Sequence, residues 1–159
     1  VARRVEAFKF PDVLIVIPPF SVSTEEARGK LPDQVPFKDA VFNLSRLVFL
    51  LTSLSHGDGL LPWHTQDRLH QPYRASLLPG VQEVLSAVIP AGAPGACVSG
   101  AGSSILIFLP NRRESQRRVV KAAERAMPGA RLLVTRVSTK GAEGAAGRSR
   151  APDPSFLGL

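Results

Sequence analysis

Two short apolar runs, Ala96-Cys97-Val98 and Ile105-Leu106-Ile107-Phe108-Leu109, stand on either side of Ser99-Gly100-Ala101-Gly102-Ser103-Ser104. This pattern restricts the possible folds more than any other part of the sequence. Runs this short, apolar and partly β-branched, read as strands. A short glycine-bearing link between two strands reads as a hairpin turn, so the sheet is expected to be mostly antiparallel. Val13-Leu14-Ile15-Val16-Ile17, closed by Pro18-Pro19, is a further buried strand, and Arg131 to Val137 is the last one.

Helices fill the intervals. Ser23-Thr24-Glu25-Glu26 has capping-box form, with a short helix expected to about Leu31 before Pro32. A longer helix is expected from Lys38 to Leu54, because Ala40, Leu44, Leu47, Val48, Leu51 and Leu54 recur at helical spacing, and Gly57-Asp58-Gly59 ends it. Further helices are expected over 60–69, 81–89 and 112–127, the last basic and amphipathic. The order is β, several helices, β-loop-β, α, β, which indicates an α+β domain with helices on one face of the sheet. From Gly141 onward Gly, Ala, Ser, Arg and Pro dominate, so residues 141–159 are read as a loose tail.

Composition narrows the class. With 44% hydrophobic and 21% charged residues, the 159-residue chain is globular and of one-domain size. Its single cysteine, Cys97, excludes an internal disulfide and a cysteine-rich zinc site, fits a reducing compartment, and is read as a small core residue. No apolar run approaches the roughly 20 residues needed to span a bilayer. The start, Val1-Ala2-Arg3-Arg4, shows neither a secretory leader nor an initiating methionine, so the chain is expected to be processed or a piece of something longer. Residues 1–110 carry nine basic and nine acidic side chains, whereas 111–150 carry eleven basic and three acidic. The net charge of +7 therefore comes from one C-terminal helix and the segment after it. Such a patch can attract nucleic acid, but one Trp, one Tyr and no aromatic-rich strand argue against that role.

Asp67-Arg68-Leu69-His70-Gln71-Pro72-Tyr73-Arg74 is the most chemically loaded segment. Pro72 disfavours a helical Gln71, so a helix running through Leu69 is expected to end or bend here and to hold Arg74 at a set place. A positioned guanidinium suits a carboxylate or phosphate. The glycine loop 99–104 reads either as a plain hairpin turn or as an anion nest. It lacks a Walker lysine, and Ile105 occupies the last position of a G-x-G-x-x-G motif. Thr24 and Arg28 lie four apart on one helix face near its start, a pairing that suits an anion, although Arg28 is equally compatible with solvent or with Glu25. His56, His64 and His70 match no metal spacing. Asp39 and Asn43, four apart, read as a solvated helix start.

Four blocks together resemble the homoserine kinases of the galactokinase, homoserine kinase, mevalonate kinase and phosphomevalonate kinase superfamily. They are Ser23-Thr24-Glu25-Glu26-Ala27-Arg28, Asp39-Ala40-Val41-Phe42-Asn43, the Asp67–Arg74 segment with Pro79-Gly80, and the 99–104 loop, with Ser103 where the family usually has proline. The resemblance covers about residues 10–140. It implies a ferredoxin-like sandwich, with residues 13–140 as the substrate-side C-terminal domain and residues 1–12 as a linker or the end of a preceding domain. It implies that Thr24, Arg28, Arg74 and Gly100 bind L-homoserine, and that Ser99, Gly100, Ala101, Gly102 and Ser103 buttress a phosphate loop. ATP and Mg2+ are implied, held mainly by an N-terminal half whose Pro-x-x-x-Gly-Leu-Gly-Ser-Ser loop this sequence does not contain. No catalytic residue or metal ligand is assigned within the chain. The implied compartment is the cytoplasm, with a plastid as the alternative, and homodimerisation is left open. The rival readings are a non-catalytic ferredoxin-like module that binds an amino acid or a partner, and a nucleic-acid binder built on residues 112–125.

Overall fold

The structure is a computed structural model and describes residues 10–138. The expected tail at 141–159 and residues 1–9 of the expected linker lie outside the described residues. Four strands, β1 (Val13–Ile17), β2 (Gly95–Val98), β3 (Ile105–Phe108) and β4 (Arg131–Thr135), form one sheet in the order β2-β3-β1-β4. Every neighbouring pair is antiparallel. Val13 lies opposite Phe108 and Thr135, and Val98 opposite Ile105. The helices between β1 and β2 form one crossover, and the helix between β3 and β4 forms the other. This is the split arrangement of a ferredoxin-like domain, as the family resemblance implied, and it bears out the mostly antiparallel α+β domain read from the element order.

Side-chain alternation explains the layering. Leu14 and Val16 of β1, with Ile105 and Ile107 of β3, are fully buried on one face. They meet Val81, Val84 and Val88 of α4 (Val81–Val88) and Val119 and Ala123 of α5 (Arg113–Ala126). The 3–4 spacing of these helical residues makes a single apolar stripe on each helix. The basic side chains of α5 occupy the remaining faces. No helix among the described residues is long and apolar enough to cross a membrane.

Two expectations require correction. No helix fills 60–69: the chain makes a short 3-10 turn at Pro62–Thr65, and α3 begins only at Gln71 and runs to Arg74. Pro72 therefore opens a helix rather than closing one. Its fixed φ suits the first turn, where a missing N–H costs nothing. The long helix α2 (Phe37–His56) ends as expected at Gly57, whose left-handed φ of 78° suits glycine. Its apolar stripe, however, is largely exposed: Leu54 is buried, whereas Leu44 and Val48 are more than 60% exposed. Helical periodicity indicates that a stripe exists. It does not say what lies against it.

Candidate functional site

Asp67 organises the site from within its own segment. Its carboxylate accepts hydrogen bonds from the backbone N–H groups of Leu69 (2.8 Å), His70 (3.0 Å) and Gln71 (2.6 Å). These amides precede and open α3, so the aspartate satisfies donors that a helix start would otherwise leave unpaired. Asn43 of α2 adds a donor, its Nδ2 bonding Asp67 at 2.6 Å while its Oδ1 accepts from the Arg68 amide at 2.9 Å. Asp39, one turn earlier on α2, accepts from Arg68 Nη1 at 3.2 Å, and the Arg68 guanidinium lies 3.9 Å over the Phe42 ring. The Asp39–Asn43 pair, expected to be solvated, instead fastens α2 to the arginine-bearing segment. Gln71 completes the docking by accepting from the Val98 amide of β2 at 2.9 Å.

Held this way, Arg74 is 8% exposed. Its Nε donates to the Ala27 carbonyl at 3.1 Å, and its Nη1 donates to the Gly100 carbonyl at 3.1 Å. One side chain thus joins α1 (Thr24–Gly29), α3 and the glycine loop. Nη2 makes no protein hydrogen bond among the described residues. Thr24 and Arg28 are exposed on α1, on either side of buried Ala27. The Ser23 hydroxyl caps that helix by accepting from the Glu26 amide at 3.0 Å, as the capping box predicted.

The 99–104 loop joins β2 and β3 as a hairpin turn. Its Ser99 amide bonds the Ser104 carbonyl, and its Gly102 amide bonds the Ser99 carbonyl. The amides of Gly100 and Ala101 carry no partner among the described residues. Gly102 has φ of +100°, a conformation that strains any residue with a side chain, and a Cβ there would also lie 2.8 Å from Leu78 Cδ2 and push that methyl aside. Ser103 is buried and donates its hydroxyl to the Phe20 carbonyl at 2.7 Å. A proline at this position could not make that bond.

A cavity of about 310 Å3 opens among these groups, lined by Asn43, Asp67, His70, Arg74, Cys97 and Gly100 with Thr65, Gln71 and Val98. Arg74 and Gly100 are the predicted site residues that line it. Cys97 also reaches the cavity, half-buried rather than in the core, because its β2 position points away from the apolar layer. Burial, helped by the nearby Asp67 charge, pushes its thiol up to about 11, so it stays protonated and unreactive at neutral pH. For Asp67, burial opposes ionisation. The bonds from the Gln71 amide, Asn43 and the Leu69 amide, together with the charge of His70, outweigh that penalty and hold the carboxylate below its ordinary range. Sequence reasoning missed Asp67 and Asn43 as the framework of the site. Both lie in blocks that carry the family resemblance, and an aspartate just ahead of a proline-opened helix was the further local signal.

His64, in the 3-10 turn beneath α2, is 4% exposed. Burial and the Arg46 charge lower its pKa from the ordinary 6.5. Its Nδ1 accepts from the Leu61 amide at 3.3 Å, a bond the protonated ring could not keep. The unfolded chain therefore binds this proton more readily, and the associated stability is complete above pH 6.5 and declines as the pH falls below it. Urea midpoints measured across that range are expected to fall in the native chain and to stay flatter in His64→Gln.

Known proteins match over the same part of the chain. Residues 51–129 match the family model described as GHMP kinases C terminal. The homoserine kinase of Caldicellulosiruptor bescii is 44% identical over 110 residues, covering 69% of this chain and 36% of that protein. The Saccharomyces cerevisiae homoserine kinase is 47% identical over 100 residues, covering 58% of this chain and 28% of that protein. Among solved structures, the homoserine kinase of Cytophaga hutchinsonii superposes with a TM-score of 0.75 at 26% identity, over 85% of this chain and 44% of that one. The chain spans about a third of the length of the curated relatives it matches. Fold and matched segment together define a GHMP kinase C-terminal domain. Within that class, the relatives named above are homoserine kinases, and this chain is similar to the C-terminal part of such proteins.

Proposed function

We propose that this chain is the substrate-side domain of a homoserine kinase, with residues 13–140 as its folded unit. The complete enzyme transfers the γ-phosphoryl group of ATP to the side-chain hydroxyl of L-homoserine, a step toward threonine. The observation that carries this reading is the placement of Arg74, which ties α1 and the glycine loop together at a cavity and keeps Nη2 uncommitted. An amino-acid substrate presents a carboxylate, and a nearly buried guanidinium is a strong receptor for it. Arg28 supplies a second positive charge from the neighbouring helix. Thr24 offers a hydroxyl, and Gly100 with its loop shapes the wall where the phosphates pass. Segment 99–103 acts as the buttress of a phosphate loop contributed from elsewhere.

Phosphoryl transfer depends mainly on positioning and on charge around the γ-phosphate. The nucleotide and its Mg2+ belong to a segment with a Pro-x-x-x-Gly-Leu-Gly-Ser-Ser loop, which this sequence does not contain. The cavity here does not suit the metal. Asp67 is its one carboxylate and already receives five donors, and no cluster of three metal-binding side chains exists among the described residues. The same saturation makes Asp67 a poor base, so no general base is assigned. The chain alone is therefore expected to be inactive.

The test is L-homoserine-dependent ATP turnover by the chain alone and by the chain fused behind a homoserine kinase N-terminal domain. Turnover only in the fusion supports the proposal. A fusion that folds, binds ATP and stays silent overturns it in favour of a non-catalytic module.

A further inference from the structure

The two edges of the sheet are finished differently. On the β2 edge, side chains take the outward amides: Ala96 donates to Thr65 Oγ1 at 3.1 Å and Val98 to Gln71 Oε1 at 2.9 Å. On the β4 edge no such cover exists among the described residues. β4 pairs with β1 on one side, and its outward amides and carbonyls have no partner there among the described residues. Leu133 and Val134 are 43% and 52% exposed. An open, unblunted edge of this kind is a template for an added strand.

The surface beside that edge is chemically selective. A groove of about 610 Å3 runs between α5 and β4, lined by Arg113, Arg117 and Lys121 of α5, by Arg136, and by apolar Val120 and Val134. The three α5 cations stand four residues apart, so they form one column with a spacing of roughly 6 Å. None of them is ion-paired among the described residues. The one acid in the groove, Asp12, bonds Arg136 at 3.0 Å. Along an extended strand, every second side chain recurs at roughly 6.8 Å on one face. The helix column and a strand with alternating acids are therefore nearly in step over three positions.

We propose that the β4 edge binds an extended acidic segment of a partner protein. The segment adds as a fifth strand beside β4 and sets acidic side chains, at every second position, against Arg113, Arg117 and Lys121. The unpaired backbone edge asks for a backbone partner. The groove offers no aromatic ring on which a base would stack, so a polypeptide fits better than a nucleic acid.

The test uses the 159-residue chain and a fluorescein-labelled peptide of alternating Glu and Val, followed by anisotropy at low salt and by hydrogen exchange. Binding is expected, with slowed exchange at residues 131–135. Arg117→Glu combined with Lys121→Glu is expected to weaken it about tenfold or more, with an unchanged melting curve showing that the fold persists. Of two peptides N-methylated at alternate amides in opposite registers, at least one is expected to lose about tenfold, because methylation removes strand pairing without touching charge. The proposal is overturned if the peptide does not bind, or if both methylated peptides match the parent and β4 gains no protection. It is also overturned if a single-stranded oligonucleotide binds more tightly than the peptide, which would assign the groove to nucleic acid.

Discussion

In the fused enzyme, Arg74→Ala is expected to reduce kcat/KM for L-homoserine by about a hundred- to a thousandfold. A charge-assisted hydrogen bond to a carboxylate contributes about 1.5–3 kcal/mol, and loss of the positive charge at a nearly dry site adds to that. Each 1.36 kcal/mol corresponds to about tenfold in rate. The same substitution breaks the bonds to Ala27 and Gly100 and leaves two carbonyls unpaired, so the domain should also lose about 1–3 kcal/mol of stability. Arg74→Lys separates the two effects. A lysine keeps the charge, but one ammonium group cannot span two carbonyls on separate elements and also face a ligand. It is expected to recover less than tenfold of the lost activity. Steady-state kinetics and urea unfolding on the same samples check both parts. If stability falls while KM and kcat stay at native values, Arg74 is a clasp only, and carboxylate recognition lies elsewhere.

Asp67→Ala is expected to cost about 3 kcal/mol of stability, more than any other single substitution at the site. It strands the amides of Leu69, His70 and Gln71 and the Asn43 side chain at once. Because α3 then loses its anchor, KM for homoserine should rise even though Asp67 is not proposed to touch the substrate. Asp67→Asn, which preserves shape, tests the charge. The folded-state pKa is below the ordinary 3.8, so the stability from the carboxylate is present above pH 3.8 and is lost as the pH falls below it. Asp67→Asn should remove that acid decline while leaving the one from His64 in place. Parallel denaturation of native and variant chains between pH 7 and the acid limit reads both declines. An unaltered acid profile in Asp67→Asn would mean that the carboxylate contributes nothing through its charge.

Much of the fold was legible because the relevant signals are local. The hairpin around 99–104, the β1 run, the α4 and α5 stripes and the Gly57 stop each arise from neighbours within a few residues, where periodicity and turn chemistry act. Elsewhere local rules compete. Pro72 reads by itself as the end of a helix, but the same missing N–H suits a first turn, and only the Asp67 carboxylate bonded to the neighbouring amides decides between them. The apolar spacing of α2 is real, yet the strand layer buries α4 and α5 and leaves most of α2 outside.

The sequence alone determined the class of domain, most of the order of its elements and the four blocks by which it resembles the homoserine kinases. Composition, periodicity and short motifs are properties of the chain itself. Only the tertiary structure decided that Arg74 spends two donors on Ala27 and Gly100, that Asn43 reaches Asp67, and that Ser103 holds Phe20. These partners lie 24 to 83 residues apart in the chain. No local propensity links them. They meet because antiparallel pairing brings β1, β2 and β3 side by side and so sets the loops and short helices at the strand ends against one another.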